Sequence, residues 1–293
     1  MRRFPTLALL PLALVLALLL AACGTGAEEA AEDVPDPEVP AAEEEPEFGT
    51  VVEGQLTIGS DVPFPPFEFR GDDGELTGFD VDLMEEIAER LGLETNWVET
   101  DFDTIFTQLA AGRFDVVASA TTITDEREQM VNFTEPYYLA QQALVVNPQE
   151  TPDVQSVDAL RSGMVVAVQT GTTGEAWARE NVPDGVDVRS FPNAPDTYLA
   201  LEAGNVQAVI FDEPSAVTEA ETREALEVVD VIDTGERYGF AVNPENEALL
   251  DEVNRVLREL IDDGTYAEIY GRYEELPPGG RVDEDAEAAP PDY

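Results

Sequence analysis

Short apolar runs alternate with amphipathic segments of helical spacing along most of the chain. Apolar residues recur every fourth position over 79–91, which predicts a helix that ends at Gly92. A second long amphipathic segment predicts another helix over 247–263. Short β-branched or apolar runs predict strands over 55–60, 114–119, 164–169 and 206–211. This alternation indicates an α/β protein with a mainly parallel sheet in each of two domains.

A polar residue ends or follows each of these four predicted strands. The four residues are Asp61, Ser119, Gln169 and Asp212. In open α/β sheets, ligands bind beyond the carboxyl ends of the strands. Because two of the four residues lie in each half of the chain, they predict one ligand held between two domains.

The strand over 114–119 leads into a hydroxyl-rich turn and then into a helix start. Thr124 is the predicted N-cap, and Arg127 lies in the first turn. The first turn of a helix favours anions, so an arginine among free N–H groups there predicts a pocket for a carboxylate. The alternative is that Arg127 pairs with a neighbouring glutamate on the surface.

A second candidate anion site follows the strand over 164–169. Residues 170–174 read Thr-Gly-Thr-Thr-Gly and open a helix, whose first backbone N–H groups can hold an anion. The segment is not a P-loop, because the Gly-Lys-Ser/Thr ending is missing. A tight turn without a ligand is the alternative interpretation.

The composition excludes several classes of function. The formal net charge is −48 and all fifteen basic residues are arginine, so the surface repels nucleic acid and we expect no such partner. Histidine is absent, which excludes Ser-His-Asp and Cys-His catalysis and removes the commonest metal ligand. We predict no metal site and no cofactor. An acidic surface without lysine suits concentrated salt, where screening relieves self-repulsion.

Residues 1–22 have the features of a targeting segment. Two arginines precede an apolar stretch over 7–20, and small residues lead into Cys23. Cys23 is the only cysteine, so no intramolecular disulfide can form. The segment around it resembles the bacterial lipoprotein cleavage box, which implies a lipidated Cys23 and an extracytoplasmic protein anchored to the cell membrane. An uncleaved membrane anchor with an incidental thiol is the alternative.

Two segments have the composition of disordered chain. Residues 23–49 are dominated by Ala, Glu, Asp and Pro after the cysteine, and residues 277–293 repeat that composition. Such segments cannot bury enough apolar surface to offset the entropy of ordering. We predict a disordered acidic tether before the folded body and a disordered acidic tail after it.

A set of motifs runs in order from residue 51 to about 275. It includes Gly-Phe-Asp-Val-Asp-Leu at 78–83, Ile-Thr-Asp-Glu-Arg at 123–127 and Asp-Gly-Thr-Tyr-Ala-Glu-Ile-Tyr at 263–270. Together these motifs resemble the polar amino-acid-binding proteins of bacterial ABC importers, the type-3 family of extracellular solute-binding proteins. The glutamine binders and the lysine/arginine/ornithine binders look closest.

The resemblance implies the two-lobed, type II periplasmic-binding-protein fold. The first lobe would comprise 50–138 plus 239–276, and the second would comprise 139–238. Two hinge strands would join the lobes near 137–141 and 234–238. The implied protein is a monomer that binds a free amino acid and delivers it to the permease subunits of an ABC transporter.

The resemblance also implies the two ends of a zwitterion site. The ligand's carboxylate would meet a cation, a backbone group and a helix start, at Arg127, Thr122 and Thr173. Its ammonium would meet an acid and nearby oxygen atoms, at Asp212, Ser119 and Ala120. The alternative for Asp212 is that it caps the helix that follows it.

Other positions implied by the resemblance surround the ligand's side chain. Phe64 and Phe102 match two aromatic residues that sandwich it, although both could be core aromatics, and Asp61 matches an acid at the far end. The chain departs from glutamine binders at Gln169, where they have lysine, and at Phe211, where they have a polar residue. An acid without a cationic partner favours arginine or lysine as the ligand, with glutamine next.

Two other functions remain to be weighed against a binding protein of an importer. Some secreted dehydratases that act on cyclohexadienyl acids resemble the same fold, and here only carboxylates could transfer their protons. The ligand-sensing ectodomain of a signalling receptor would need a transmembrane helix after residue 275, and we expect none. The binding protein of an importer is the leading hypothesis, so we predict that the protein is not an enzyme.

Overall fold

Two five-stranded sheets with helices packed on their faces, together with one two-stranded sheet, make up the described part of the chain. The computed structural model describes residues 48–282. The predicted targeting segment over 1–22, Cys23, the tether up to residue 47 and the tail from residue 283 lie outside the described residues. Within the described range, no helix is both long and apolar enough to cross a membrane.

Strands and helices alternate along the described residues, as the pattern of apolar positions predicts. The strands are β1 (Gln55–Ser60), β2 (Phe69–Arg70), β3 (Leu76–Thr77), β4 (Glu94–Glu99), β5 (Val116–Val117), β6 (Asn132–Phe133), β7 (Tyr138–Val146), β8 (Val165–Gln169), β9 (Asp187–Phe191), β10 (Ala208–Asp212), β11 (Glu227–Tyr238) and β12 (Ala241–Val242). The α-helices are α1 (Phe79–Arg90), α2 (Phe102–Ala110), α3 (Asp125–Glu128), α4 (Thr173–Asn181), α5 (Ala194–Glu202), α6 (Glu213–Thr222), α7 (Glu247–Asp262) and α8 (Thr265–Tyr270).

The two sheets are mixed rather than mainly parallel. The first has the order β4-β1-β5-β12-β6 and the second the order β11-β7-β10-β8-β9. The pairs of β1 with β4 and β5, and of β8 with β9 and β10, are parallel as predicted. The other neighbours are antiparallel, because β7 in the second sheet and β12 in the first run against the strands beside them. The α/β class is confirmed, and the sheets carry more antiparallel pairing than we predicted.

The two long amphipathic helices bury the faces that the sequence pattern indicates. In α1, Phe79, Leu83 and Ile87 are fully buried against the first sheet, and Gly92 follows the helix with a positive φ of 71°. Glycine adopts that left-handed conformation without the steric cost of a side chain. In α7, the apolar residues at helical spacing join the same core.

An aromatic cluster lies where β7 and β11 meet the first sheet. Tyr137 and Phe240 stack with ring centroids 4.1 Å apart, and the Phe67 ring contacts Tyr138 and Tyr238 edge-on at 5.1 and 5.3 Å. All five side chains are fully buried. Aromatic pairs in these geometries add packing energy beyond the area they bury. This cluster holds the start of β7 and the end of β11 side by side.

The chain is ordered further toward its C-terminus than the composition indicates. Residues 277–282 form a short 3₁₀ turn and a bridge in which Arg281 pairs with Tyr138. Leu276 and Val282 are buried in the core of the first sheet. The prediction of a disordered tail is therefore wrong for 277–282, because two apolar residues flank this segment and anchor it.

The last residues of the predicted tether are folded as well. Phe48 packs against the core of the first sheet, and the Asn246 side-chain amide donates a hydrogen bond of 2.7 Å to the Gly49 carbonyl. Asp115 accepts a hydrogen bond of 2.7 Å from the backbone N–H of Val51. Phe48 thus already belongs to the folded body, which was predicted to begin near residue 50.

Candidate ligand-binding site

A cavity lies at the carboxyl ends of strands from both sheets. Its empty space, including the opening to solvent, is about 410 Å³. All eleven residues that the sequence predicts to meet a ligand line it: Asp61, Phe64, Phe102, Ser119, Ala120, Thr122, Arg127, Gln169, Thr173, Phe211 and Asp212. Of the three further lining residues, Thr172 and Gly174 belong to the candidate anion-binding turn over 170–174, and Gln142 was not predicted. The geometry therefore gathers residues from distant parts of the sequence around one space.

Arg127 is a buried cation held by backbone carbonyl groups. The backbone N–H of Arg127 donates a hydrogen bond of 3.2 Å to the Thr124 hydroxyl, which confirms Thr124 as the N-cap of α3. The guanidinium donates to the carbonyl of Thr122 at 2.6 Å and to that of Gly171 at 3.2 Å. These two carbonyls belong to opposite sides of the cavity, so Arg127 spans it.

The surface ion pair considered for Arg127 is wrong. Its side chain is only 7% exposed, and no carboxylate of the described residues lies within 4.0 Å of its guanidinium. The rings of Phe102 and Phe106 lie 5.3 and 4.8 Å from the guanidinium carbon, within the range of cation–π attraction. Burial lowers the pKa of Arg127 to about 10, although Glu236 and Asp212 nearby oppose that change.

Backbone N–H groups near the guanidinium have no partner in the described part of the chain. They belong to Thr122, which is 2% exposed, and to Thr173 and Gly174 at the start of α4. Buried N–H groups are nearly always paired, so three free donors beside a cation mark a place for an acceptor. With the macrodipole of α4 they favour an anion there.

Gly171 is required where the two sides of the cavity approach each other. Its φ is +80°, and a Cβ atom at this position would lie 3.3 Å from the Asp103 Cα atom on the other side. Only glycine meets both conditions at low cost. The backbone conformation and the close approach thus explain the glycine in the predicted turn, and free N–H donors follow that turn.

Asp212 faces the cavity rather than capping the helix after it. Its side chain makes no capping hydrogen bond to α6, so the capping interpretation is wrong. Instead its carboxylate accepts hydrogen bonds from the Gln142 amide and, at 2.6 Å, from the Tyr238 hydroxyl. Burial, followed by the nearby Glu236, raises the pKa of Asp212 to about 7.

Asp61 has a neutral partner, Gln169, across the cavity. The Gln169 amide donates to its carboxylate at 2.6 Å and also lies 3.3 Å from the Pro192 carbonyl. Burial raises the pKa of Asp61 to about 6, with smaller contributions from Asp101 and Asp103. No basic residue of the described chain forms an ion pair with Asp61, so its negative charge is uncompensated when ionised.

Ser119 and Ala120 are held by two buried acids that sequence reasoning did not assign to the site. The Ser119 hydroxyl donates to Glu68 at 2.9 Å, and the Ala120 N–H donates to Asp80 at 2.8 Å. Tyr137 donates its hydroxyl proton to Asp80 as well. Ala120 has a φ of 44°, a left-handed conformation that is rare outside glycine and is found at functional sites. Burial raises the pKa of both acids.

The predicted aromatic residues both line the cavity and pack in the protein. The Phe64 and Phe211 rings lie 5.5 Å apart and join the two sides of the cavity. Phe102 begins α2, is 8% exposed and packs edge-on against Phe106 at 5.9 Å. The alternative of a core aromatic thus describes part of the role of Phe102 without removing it from the cavity wall.

The acid Glu236 was missed altogether, and Gln142 with it. Glu236 is 2% exposed and accepts hydrogen bonds from Thr122, Thr173, Gln142 and Thr234. Gln142 is fully buried within β7. For Gln142 the signal in the sequence was an amide inside a mostly apolar strand, at a position that needs a polar partner to be tolerated. Glu236 lies among other polar residues of β11, so it carried no such signal in the sequence.

The acids around the cavity give stability a defined dependence on pH. Asp61, Asp80 and Asp212 have pKa values raised to about 6, 7 and 7, against 3.8 for an ordinary aspartate. At pH values between 3.8 and the raised pKa values, the folded chain binds more protons than the unfolded chain. The free energy of unfolding therefore falls as pH rises through this window.

We expect the melting temperature of the protein without added ligand to be lower at about pH 8 than at about pH 5. The measurement is made in about 1 M salt, where the Debye length is about 3 Å and surface repulsion is screened. The double variant Asp61→Asn/Asp212→Asn should show a smaller fall. Equal falls in the variant and the native protein would contradict the assignment of the effect to these buried acids.

Comparisons with known proteins connect this geometry to a family. The model of the bacterial extracellular solute-binding proteins, family 3, matches residues 56–275. The L-cystine-binding protein TcyJ of Escherichia coli K12 is 35% identical over 213 residues, which are 72% of this chain and 79% of the relative.

Solved structures share both fold and sequence with this chain. An ancestral arginine-binding protein bound to arginine aligns with a TM-score of 0.72 and 37% identity, over 75% of this chain and 98% of that one. The ancestral amino acid-binding protein AncCDT-1, a precursor of cyclohexadienyl dehydratase, aligns with a TM-score of 0.69 and 36% identity, over 75% and 95%. The predicted two-lobed α/β fold is confirmed, and the chain belongs to the bacterial extracellular solute-binding proteins of family 3.

Proposed function

We propose that this protein binds a free amino acid in the cavity and delivers it to the permease subunits of an ABC importer. The observation that carries the proposal is the separation of charge within the cavity. A buried guanidinium with free N–H groups lies on one side, and the half-buried carboxylate of Asp212 lies on the other. A zwitterion is the ligand that satisfies both, since its carboxylate and ammonium are joined through one carbon atom.

The carboxylate of the ligand would bind at Arg127. The free N–H groups of Thr122, Thr173 and Gly174 surround that position, and each can donate a charge-assisted hydrogen bond. The cation–π contacts to Phe102 orient the guanidinium without occupying its N–H groups.

The ammonium of the ligand would bind at Asp212. Oxygen atoms of the Ser119–Ala120 segment line the same cavity, where the strained conformation of Ala120 fixes their direction. An ammonium placed there would favour the ionised form of Asp212 and lower its pKa from about 7. Binding should therefore release a proton when it is measured below that pH.

The far end of the cavity favours a cationic side chain. Asp61 is enclosed with only the neutral Gln169 as partner, and a guanidinium or ammonium from the ligand would compensate its charge. Phe64 and Phe102 offer ring faces along the path, which add cation–π attraction. We therefore favour arginine or lysine as the ligand, with glutamine next. The ancestral arginine-binding relative supports this order.

The lobe boundaries at residues 138 and 238 also belong to the proposal. β7 and β11 lie side by side over most of their length; β7 carries the cavity residue Gln142, and β11 carries Glu236, which accepts hydrogen bonds from cavity residues. We assign the hinges to the ends of these strands, where they leave the first sheet. Closure of the lobes would then bring the Arg127–Gly171 and Asp61–Gln169 contacts together.

A dehydratase acting on cyclohexadienyl acids is the second candidate function. AncCDT-1 is described as a precursor of such an enzyme, and buried acids with raised pKa values could transfer protons. The binding function is favoured because both the cystine-binding relative and the arginine-bound neighbour are named as binding proteins. Turnover of prephenate or arogenate by the purified protein would reverse this order.

The N-terminal sequence supports attachment to a membrane. We propose that residues 1–22 are removed and that Cys23 is lipidated, which would hold the folded body outside the cytoplasm on an acidic tether. The length of the tether, fully extended, is at most about 90 Å. That reach would let the body meet a permease in the same membrane.

Replacing Arg127 by alanine tests the carboxylate end of the site. We expect Arg127→Ala to weaken amino-acid binding by at least about 30-fold, since losing one partner of a buried, hydrogen-bonded charge pair costs about 2–5 kcal/mol. Calorimetry against the twenty amino acids measures the loss, with circular dichroism as a check of folding. Arg113→Ala is the control, because Arg113 is exposed. Near-native affinity of a folded Arg127→Ala protein would rule out this role.

Replacing Asp61 by asparagine tests the specificity end. We expect Asp61→Asn to weaken arginine binding much more than glutamine binding, by about tenfold or more, because only a cationic side chain gains from the charge of Asp61. Competition calorimetry at fixed ionic strength measures both ligands. Native protein that binds glutamine more tightly than arginine would contradict the argument from the uncompensated acid.

Replacing Cys23 by serine tests the attachment to the membrane. We expect Cys23→Ser to release the protein into the soluble extracytoplasmic fraction with unchanged affinity for its ligand, because serine offers no thiol for the lipid. Cell fractionation and labelling with a fatty-acid analogue measure the outcome. A serine variant that still carries the label would exclude Cys23 as the lipidated residue.

A further inference from the structure

Glu236 joins more elements around the cavity than any residue assigned to it so far. One oxygen of its carboxylate, Oε2, accepts hydrogen bonds of 2.7 Å from the hydroxyls of Thr122 and Thr173. The other, Oε1, accepts from the Gln142 amide at 3.1 Å and from the Thr234 hydroxyl at 3.0 Å. A carboxylate has about four acceptor positions, and here four donors fill them.

The two threonines come from opposite sides of the cavity. Thr122 follows β5 of the first sheet, whereas Thr173 begins α4 after β8 of the second. Glu236 itself lies in β11, two residues before Tyr238, whose backbone bridges to Thr122. A single carboxylate oxygen therefore ties three elements together.

Both threonine hydroxyls donate their single proton to the hydrogen bond with Glu236. A hydroxyl has one proton to donate, and each of these donates it to Glu236. The hydroxyls thus have no proton left for an anion in the cavity. The backbone N–H groups of Thr122 and Thr173 remain free, so these two threonines can donate to a carboxylate beside Arg127 through their backbone and not through their hydroxyls.

We propose that Glu236 is a positioning residue for the carboxylate-binding end of the cavity, where it fixes the free N–H groups of Thr122 and Thr173 relative to Arg127. This inference rests on the proposed function, because it presumes a ligand carboxylate at that place. Glu236 does not touch the ligand. It acts through the two threonines, and it adds a negative charge that balances the buried guanidinium without using its donors.

Gln142 extends this arrangement toward the ammonium end. Its amide nitrogen donates to both Glu236 and Asp212, which fixes the direction of the amide. Its oxygen has no partner among the described residues and lies 2.8 Å from where a Cβ atom on Gly174 would stand. A glycine at that position therefore leaves room for the amide. An effect of Glu236 on the ammonium end would pass through Gln142, so the experiment must separate the two ends.

The experiment compares ligands that differ only at their α-groups. L-Arginine is measured against L-argininamide, which lacks the carboxylate charge, and against 5-guanidinopentanoate, which lacks the ammonium. We expect Glu236→Gln to lower the arginine-to-argininamide affinity ratio about tenfold, the loss typical of a weakened hydrogen bond to a charged group. The ratio of arginine to 5-guanidinopentanoate should stay unchanged. Glu227→Gln is the matched control, because Glu227 lies exposed in the same strand.

Lysine with lysinamide, and glutamine with glutaminamide, are measured in the same way, so the result does not depend on the preferred side chain. Thr173→Val, which removes one of the same hydrogen bonds, should add little to the effect of Glu236→Gln in the double variant. An unchanged acid-to-amide ratio in folded Glu236→Gln protein would overturn the inference. So would a change confined to the ratio of arginine to 5-guanidinopentanoate, which would place Glu236 at the ammonium instead. Native protein that binds no free amino acid would overturn the proposed function and this inference with it.

Discussion

The cavity depends on one buried positive charge in a chain with a formal net charge of −48. Taking a guanidinium out of water is costly unless hydrogen bonds and opposite charges replace its hydration. Arg127 receives two carbonyl groups, two aromatic faces and the field of three nearby acids, but no direct ion pair among the described residues. Because its compensation is spread over both sides of the cavity, both sheets must be in place for this charge to be stable.

The other charged groups in and beside the cavity are carboxylates. Asp61, Asp80 and Asp212 all have raised pKa values, and burial is the first cause for each of them. Asp61 follows β1, Asp212 ends β10 and Asp80 lies in the first turn of α1, so the fold brings them closer together than their separation in sequence indicates. The result is a space in which negative charge exceeds positive charge, and a cationic ligand would reduce that imbalance.

Much of this arrangement follows from the sequence pattern alone. The ends of β1, β8 and β10 are predictable because a polar residue interrupts each apolar run at Asp61, Gln169 and Asp212. Glu236 and Gln142 escape such reasoning. They lie within strands, where alternation tells which face a side chain occupies but not which distant donor meets it. The antiparallel pairs within the sheets were not predicted either. Strand direction depends on the path of the chain between the two sheets, along β7 and β11, rather than on the local sequence pattern.

The short ordered segment near the C-terminus has a practical meaning for anyone who handles this protein. Gly280 lies directly against the Tyr138 ring, where no larger side chain would fit, and Val282 is buried nearby. Tyr138 begins β7, the strand that carries Gln142 into the cavity four residues later. Shortening the chain to residue 276 would uncover that ring and remove the residues that pack against the start of β7. An affinity tag added after residue 293 would leave this contact intact.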